Sequence, residues 1–207
     1  MKLPRFYPIL DTGLLAQRGI AVVHAAEAIL GGGARILQFR HKGHWTRGVF
    51  AELEAVAKLC RDASVQFVVN DRADLARLVD AALHLGQDDL PPSAARRVMG
   101  PESLIGFSTH NEAQLRAAQE EQVDYLALGP IFGTSSKENP DPMVGLLELR
   151  RLRGFTAVPL VAIGGITRAN APEVLAAGAD SVAIIGDLIP WDGSIHSRVR
   201  EWISILG

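Results

Sequence analysis

Apolar positions along this chain fall into two rhythms. Eight short runs are almost continuously apolar: FYPIL (6–10), RILQFR (35–40), VQFVVN (65–70), ALHLG (82–86), LIGFS (104–108), DYLALG (124–129), PLVAIG (159–164) and SVAIIG (181–186). Continuous rather than alternating apolarity predicts strands covered on both faces, as in a parallel sheet. Between the runs, apolar residues recur three and four positions apart. IAVVHAAEAILGGG (20–33), WTRGVFAELEAVAKLCRDA (45–63) and NEAQLRAAQEEQ (111–122) therefore predict amphipathic helices. TRANAPEVLAAGA (167–179) adds a helix start at Thr167 and a glycine stop at Gly178.

A small unit repeats: a helix closing on Gly, Ala or Asp, followed at once by a strand. It is seen in GGGARILQF (31–39), LVDAALHLG (78–86) and AAGADSVAII (176–185). Eight strands alternating with helices over residues 1–207 predict an α/β chain folded as one (β/α)8 TIM-barrel domain. An open, doubly wound sheet is the alternative, because alternation does not show closure.

Composition narrows the function classes. A formal net charge of -2 gives no electrostatic drive toward nucleic acid, and no basic run suits a membrane surface. VPLVAIGGI (158–166) is far short of the roughly 18 residues of a spanning helix. Prolines interrupt MKLPRFYPIL before an apolar stretch of signal-peptide length. Cys60, the single cysteine, lies in a helical pattern and reads as core in a reducing compartment. The expectation is a cytoplasmic protein with small-molecule partners; a homo-oligomer is compatible with the sequence.

In a barrel, function gathers at the C-terminal strand ends, so the residues at the close of each run carry the chemistry. The second run ends in Gln38, Arg40, His41 and Lys42, the third in Asn70 and Asp71, and the fourth leads to Asp88 and Asp89. The fifth ends in Ser108, Thr109 and His110; the sixth leads into Thr134, Ser135, Ser136 and Lys137. Arg40, Lys42 and Lys137 suit phosphate oxygens, and Asp71 with Asp89 are hard ligands of the kind Mg²⁺ shares with phosphates. A magnesium-bound diphosphate fits this set; the competing reading is that these acids and bases merely pair with one another. Gly164-Gly165 and Gly186, after the last two runs, leave backbone amides open where barrels commonly hold a phosphate, although glycines there also serve tight turns. His84 reads as a satisfied wall histidine. His110 is either an acid–base group or the start of the next helix.

In combination, LQFRHK, VVNDRADLA, LHLGQDDLP, IGFSTH, LALGPIFGTSSK, VAIGGI and AGADSVAIIG resemble thiamine phosphate synthases over nearly the whole chain. The resemblance implies a single (β/α)8 barrel joining 4-amino-2-methyl-5-hydroxymethylpyrimidine diphosphate to thiazole phosphate, plain or carboxylated, with loss of pyrophosphate. It implies that Gln38, Phe39, Arg40, His41, Lys42, Asn70, Ser108 and Lys137 hold the pyrimidine diphosphate, with Arg40, Lys42, Ser108 and Lys137 acting in catalysis. Asp71 and Asp89 would hold Mg²⁺, and Thr134, Ser135, Ser136, Gly164, Gly165, Ile185 and Gly186 the thiazole phosphate. Three features depart from the usual pattern: Gly186 stands where a serine is common, Gly133 where a proline is, and NPDP (139–142) carries its acid a few residues later than the common lysine–acid spacing. The related thiazole tautomerases usually carry histidine at the position of Pro130, which disfavours that alternative. A non-catalytic phosphate-binding barrel would be expected to have lost a charged residue, and none is lost.

Overall fold

The computed structural model describes residues 3–133, 141–190 and 194–207. In chain order the elements are β1 (Phe6–Asp11), α1 (Thr12–Gln17), α2 (Val22–Gly31), β2 (Ile36–Arg40), α3 (Arg47–Asp62), β3 (Gln66–Asn70), α4 (Ala73–Leu78), β4 (Ala82–Leu85) and α5 (Pro92–Met99). Then come β5 (Ile105–Thr109), α6 (Glu112–Ala117), β6 (Tyr125–Leu128), α7 (Gly145–Arg153), β7 (Leu160–Ile163), α8 (Ala171–Ala176), β8 (Ser181–Ile184) and α9 (Ile195–Leu206). The strands pair in parallel in sequence order, and β8 closes onto β1. Closure excludes the open sheet. No helix among the described residues is long and apolar enough to cross a membrane.

Two apolar layers hold the barrel. The larger lies between strands and helices and includes Leu10, Leu37, Phe39, Val69, Leu83, Leu126 and Trp202. The smaller fills the barrel interior with Tyr7, Ile9, Ile36, Val68, Ala82, Tyr125, Ala127, Val161 and Ala183. Successive strand residues face opposite sides, so Ile36, Gln38 and Arg40 share one face while Leu37 and Phe39 share the other. The lower interior is thus apolar and the upper interior polar. Gly106 belongs to the interior row, paired with His84 on one side and Tyr125 on the other. A Cβ there would collide with the Tyr125 ring.

The Asp of the repeated helix-to-strand joint has a structural use. Asp124 Oδ2 accepts from Ile105 N at 2.7 Å, and Asp180 Oδ2 accepts from Leu160 N at 2.8 Å, each tying off a neighbouring strand at the N-terminal rim. Helix starts are set by side-chain capping at Thr46, Asn111 and Ser194. The expected start at Thr167 is displaced. Thr167 N donates to Asn170 Oδ1 at 2.8 Å in a turn, and α8 begins only after Asn170. Cys60 is buried in the outer layer, where burial pushes its thiol up to about 12 and leaves it inert.

Candidate active site

The interior row of each early strand rises from apolar to polar, delivering one side chain after another to the C-terminal mouth. The register sets Asp11 beside Arg40, and Asn70 beside His84. Arg40 is ion-paired with Asp11. Asp11 also caps α1, accepting from Leu14 N at 2.9 Å. The sequence reading missed Asp11, although an acid directly after an apolar run, in ILDTG, was a signal of the kind used at the other strands.

Lys42 Nζ donates to Asp71 Oδ2 at 2.6 Å. Acids and bases at this mouth therefore do pair, as the competing reading of their residue types had it. The pairing does not satisfy the carboxylates fully. Burial, then the Asp89 carboxyl against it, push Asp71 up to about 6, and Lys42 opposes both only in part. Asp89 turns back so that its Oδ2 accepts from Gly86 N at 2.6 Å, while Asp88 is exposed. Strand β4 ends at Leu85, so a turn rather than strand alternation separates the two acids. Asn70 is 7% exposed, and its Nδ2 has no hydrogen-bond partner among the described residues. Two carboxylates held together, one with a raised pKa, form an arrangement that a divalent cation relieves. A buried amide donor beside them suits an oxyanion. The residues present fit a cation bound together with a phosphorylated ligand. Among the described residues no group of three or more His, Cys, Asp or Glu side chains is placed to hold a metal ion, so the protein would supply two carboxylates and the ligand the remaining oxygens.

Beneath this rim runs a buried hydrogen-bond chain. Gln38 Nε2 donates to Tyr7 Oη at 3.0 Å, Tyr7 Oη meets Tyr125 Oη at 2.9 Å, and Tyr125 Oη meets His84 Nδ1 at 3.0 Å. His84 Nε2 meets Ser108 Oγ at 2.9 Å. Burial lowers His84 to about 4, raises Tyr7 to about 12 and raises Tyr125 well above its ordinary value, so all three are neutral near pH 7. His84 is the satisfied wall histidine expected. Tyr7 and Tyr125 were missed; their hydroxyls inside apolar strands were the available sign, because a buried phenol needs a partner. His110 does not begin α6. Its Nδ1 donates to Gly129 O at 2.6 Å, tying the ends of β5 and β6 together.

Two residues that the resemblance assigns to the pyrimidine diphosphate have their side chains engaged elsewhere. The side chain of Phe39 is fully buried in the outer layer against Trp45, with ring centroids 6.1 Å apart. It faces away from the mouth because it alternates with Gln38 and Arg40. The ring of His41 is engaged on both nitrogens, by Thr12 Oγ1 at 2.7 Å and by the carbonyl of His44 at 3.2 Å. These contacts fix the loop that carries Lys42.

Thr134, Ser135, Ser136 and Lys137 lie outside the described residues. Gly164 (φ 96°) and Gly165 (φ 63°) both need the left-handed region, and a Cβ on Gly164 would come within 2.5 Å of Pro130. The tight turn therefore accounts for the glycine pair on its own. Beyond Ile185 the chain forms a 3-10 turn, Gly186–Leu188, not an α-helix start. A Cβ on Gly186 would meet only open space, so the serine common at this position would fit. Asp187 is held by Arg168 at 3.1 Å and by Arg198 at 3.3 Å.

A family model described as thiamine monophosphate synthase matches residues 6–188. The thiamine-phosphate synthase of Koribacter versatilis (strain Ellin345) is 46% identical, the match spanning 100% of this chain and 97% of that protein. That of Chloroflexus aurantiacus (strain ATCC 29366 / DSM 635 / J-10-fl) is 41% identical over 97% of this chain and 93% of its own length. Among solved structures, thiamine phosphate pyrophosphorylase from Pyrococcus furiosus superposes with a TM-score of 0.86 at 30% identity, covering 98% of this chain and 95% of that one.

Proposed function

The chain belongs to the thiamine monophosphate synthase family, and from that premise we propose that it condenses 4-amino-2-methyl-5-hydroxymethylpyrimidine diphosphate with thiazole phosphate, releasing pyrophosphate and forming thiamine monophosphate. The observation that supports this most directly is the gathering of Arg40, Lys42, Asn70, Asp71 and Asp89 at one mouth, above Gln38 and Ser108. Gln38 and Ser108 face the pyrimidine ring; Asn70 and Lys42 donate to the diphosphate. Arg40, held by Asp11, adds a fixed positive charge beside it. Lys137 also donates to the diphosphate, and Thr134, Ser135, Ser136, Gly164, Gly165, Ile185 and Gly186 hold the thiazole phosphate.

Asp71 and Asp89 would hold Mg²⁺, which when bound neutralises charge on the diphosphate oxygens. The 4-amino group of the pyrimidine pushes electron density toward the methylene carbon as the carbon–oxygen bond to diphosphate breaks. The thiazole nitrogen then donates its lone pair to that carbon, forming the new carbon–nitrogen bond. No enzyme nucleophile is needed. The chain's own contribution is to align two substrates and to present fixed donors to a departing anion. The reaction belongs in a reducing, cytoplasmic compartment, where the buried Cys60 persists as a thiol.

Purified protein is expected to release pyrophosphate only when both substrates and Mg²⁺ are supplied. Turnover that survives a chelator would remove the metal from this reading, and release from the pyrimidine diphosphate alone would make the protein a hydrolase. The two neighbouring acids after β4 give a finer check. Asp89→Asn should raise the Mg²⁺ concentration for half-maximal rate by about tenfold or more, whereas Asp88→Asn, altering an exposed side chain, should leave it near the wild-type value. A larger defect in Asp88→Asn would move the cation to the other carboxylate.

A further inference from the structure

The buried chain under the mouth has a direction. With the Gln38 amide oriented so that Nε2 meets Tyr7 Oη, Nε2 donates, Tyr7 Oη accepts, and the Tyr7 hydrogen is left for its other partner, Tyr125 Oη. Tyr125 Oη, having accepted, gives its hydrogen to His84 Nδ1. A neutral imidazole with Nδ1 as acceptor carries its hydrogen on Nε2, which donates to Ser108 Oγ. Ser108 is left with a hydroxyl hydrogen for a further partner. At the opposite end, the amide orientation that gives Nε2 to Tyr7 leaves Gln38 Oε1 as the acceptor. The links join residues 31, 118, 41 and 24 positions apart in sequence. Gln38, Tyr7, Tyr125 and His84 are each no more than 8% exposed, so water does not compete for the interior members.

We propose that Tyr7, Tyr125 and His84 are positioning residues that set the hydrogen polarity of Gln38 and Ser108, presenting an acceptor and a donor together to an aminopyrimidine ring. This rests on the reading of the mouth as the pyrimidine diphosphate subsite. An aminopyrimidine carries an exocyclic amine, which donates, adjacent to a ring nitrogen, which accepts. Gln38 Oε1 and the Ser108 hydroxyl supply the matching pair. Five side chains in series can reverse only together: a Gln38 amide turned over would also turn the His84 tautomer and convert Ser108 from donor to acceptor. The three inner residues thus act on a ring they do not touch. Gly106 is part of the device, since only a residue without Cβ lets the Tyr125 ring cross the barrel.

Two measurements test this. Nitrogen-15 NMR of histidine-labelled protein without ligand should show His84 as the Nε2–H tautomer; an Nδ1–H tautomer would reverse the chain and overturn the proposal. Binding of each substrate to Tyr7→Phe, a variant that keeps the ring and its packing, is the second. Affinity for the pyrimidine diphosphate should fall about tenfold, while affinity for thiazole phosphate stays within about twofold. Tyr7→Phe and Ser108→Ala should also be non-additive in pyrimidine diphosphate binding although the two residues are linked only through the chain. Equal losses for both substrates, no loss, or strict additivity would each refute a relay. Wild-type protein that binds neither substrate would overturn the functional reading instead, and the tautomer would still decide the direction of the chain.

Discussion

Asp71→Asn is expected to cut turnover sharply and at the same time to stabilise the metal-free protein at pH 7. A carboxyl raised from 3.8 to about 6 on folding favours the folded state fully below pH 3.8. That contribution is lost as pH rises through about 6, and above it the folded state carries a charge the unfolded chain bears more easily. The shift corresponds to at most about 3 kcal/mol. That figure already contains the opposing Lys42 pair, whose lysine is 53% exposed; coupling to Asp89 and partial solvation reduce it further. A net gain of about 1 kcal/mol remains, or roughly 2–4 °C in Tm for a chain of this size. It should fade toward pH 4, where Asp71 is already protonated. Asparagine keeps the backbone, because φ at Asp71 is 66° and Asn tolerates that region better than most residues. The loss of charge removes a hard oxygen ligand, so Mg²⁺-dependent turnover should drop about a hundredfold or more. Thermal unfolding in chelator at pH 4 and 7, beside steady-state rates, checks both halves. A variant with wild-type rate, or one destabilised at pH 7, contradicts the role given to Asp71.

Gly106→Ala is expected to cost about 2–4 kcal/mol, a large effect for one methyl group. The added Cβ would fall onto the Cζ and Oη of Tyr125. That ring is fully buried, and its hydroxyl is held between Tyr7 and His84, so displacement also breaks the chain beneath the mouth. Tyr125→Ala alone should cost about 3–5 kcal/mol by leaving a cavity. Combined with Gly106→Ala the loss should be smaller than the sum by about 1–3 kcal/mol, since the small residue at 125 removes the collision. Urea unfolding of the two single variants and the double decides it. Additive losses would mean that Gly106 is required for some reason other than room for Tyr125.

The strand runs were legible because a parallel strand covered on both faces must be apolar throughout, and that is local information. Each run lies within one or two residues of its strand in the structure. The polar clusters after the runs were legible for the same reason: composition changes abruptly where a strand leaves the core, as at Arg40, Asn70 and Ser108. Strands apolar on both faces do not announce which face points inward, so nothing local set Phe39, which the family resemblance had placed with Gln38 and Arg40, on the outer side. The boundary of α8 was misplaced because Thr167 and Asn170 both carry cap chemistry, and only the turn between them chose.

Sequence alone determined the alternation of strands and helices, the end of the barrel at which charge collects, and the residue types suited to a cation and phosphates. Tertiary structure decided closure, by pairing β8 with β1. It decided that Asp11 partners Arg40, that Asp71 partners Lys42, and that Tyr7 meets Tyr125 across 118 positions of chain. These are contacts between interior faces of different strands. A residue's own neighbours set its conformation and polarity, but only the register and closure of the barrel set what stands opposite it.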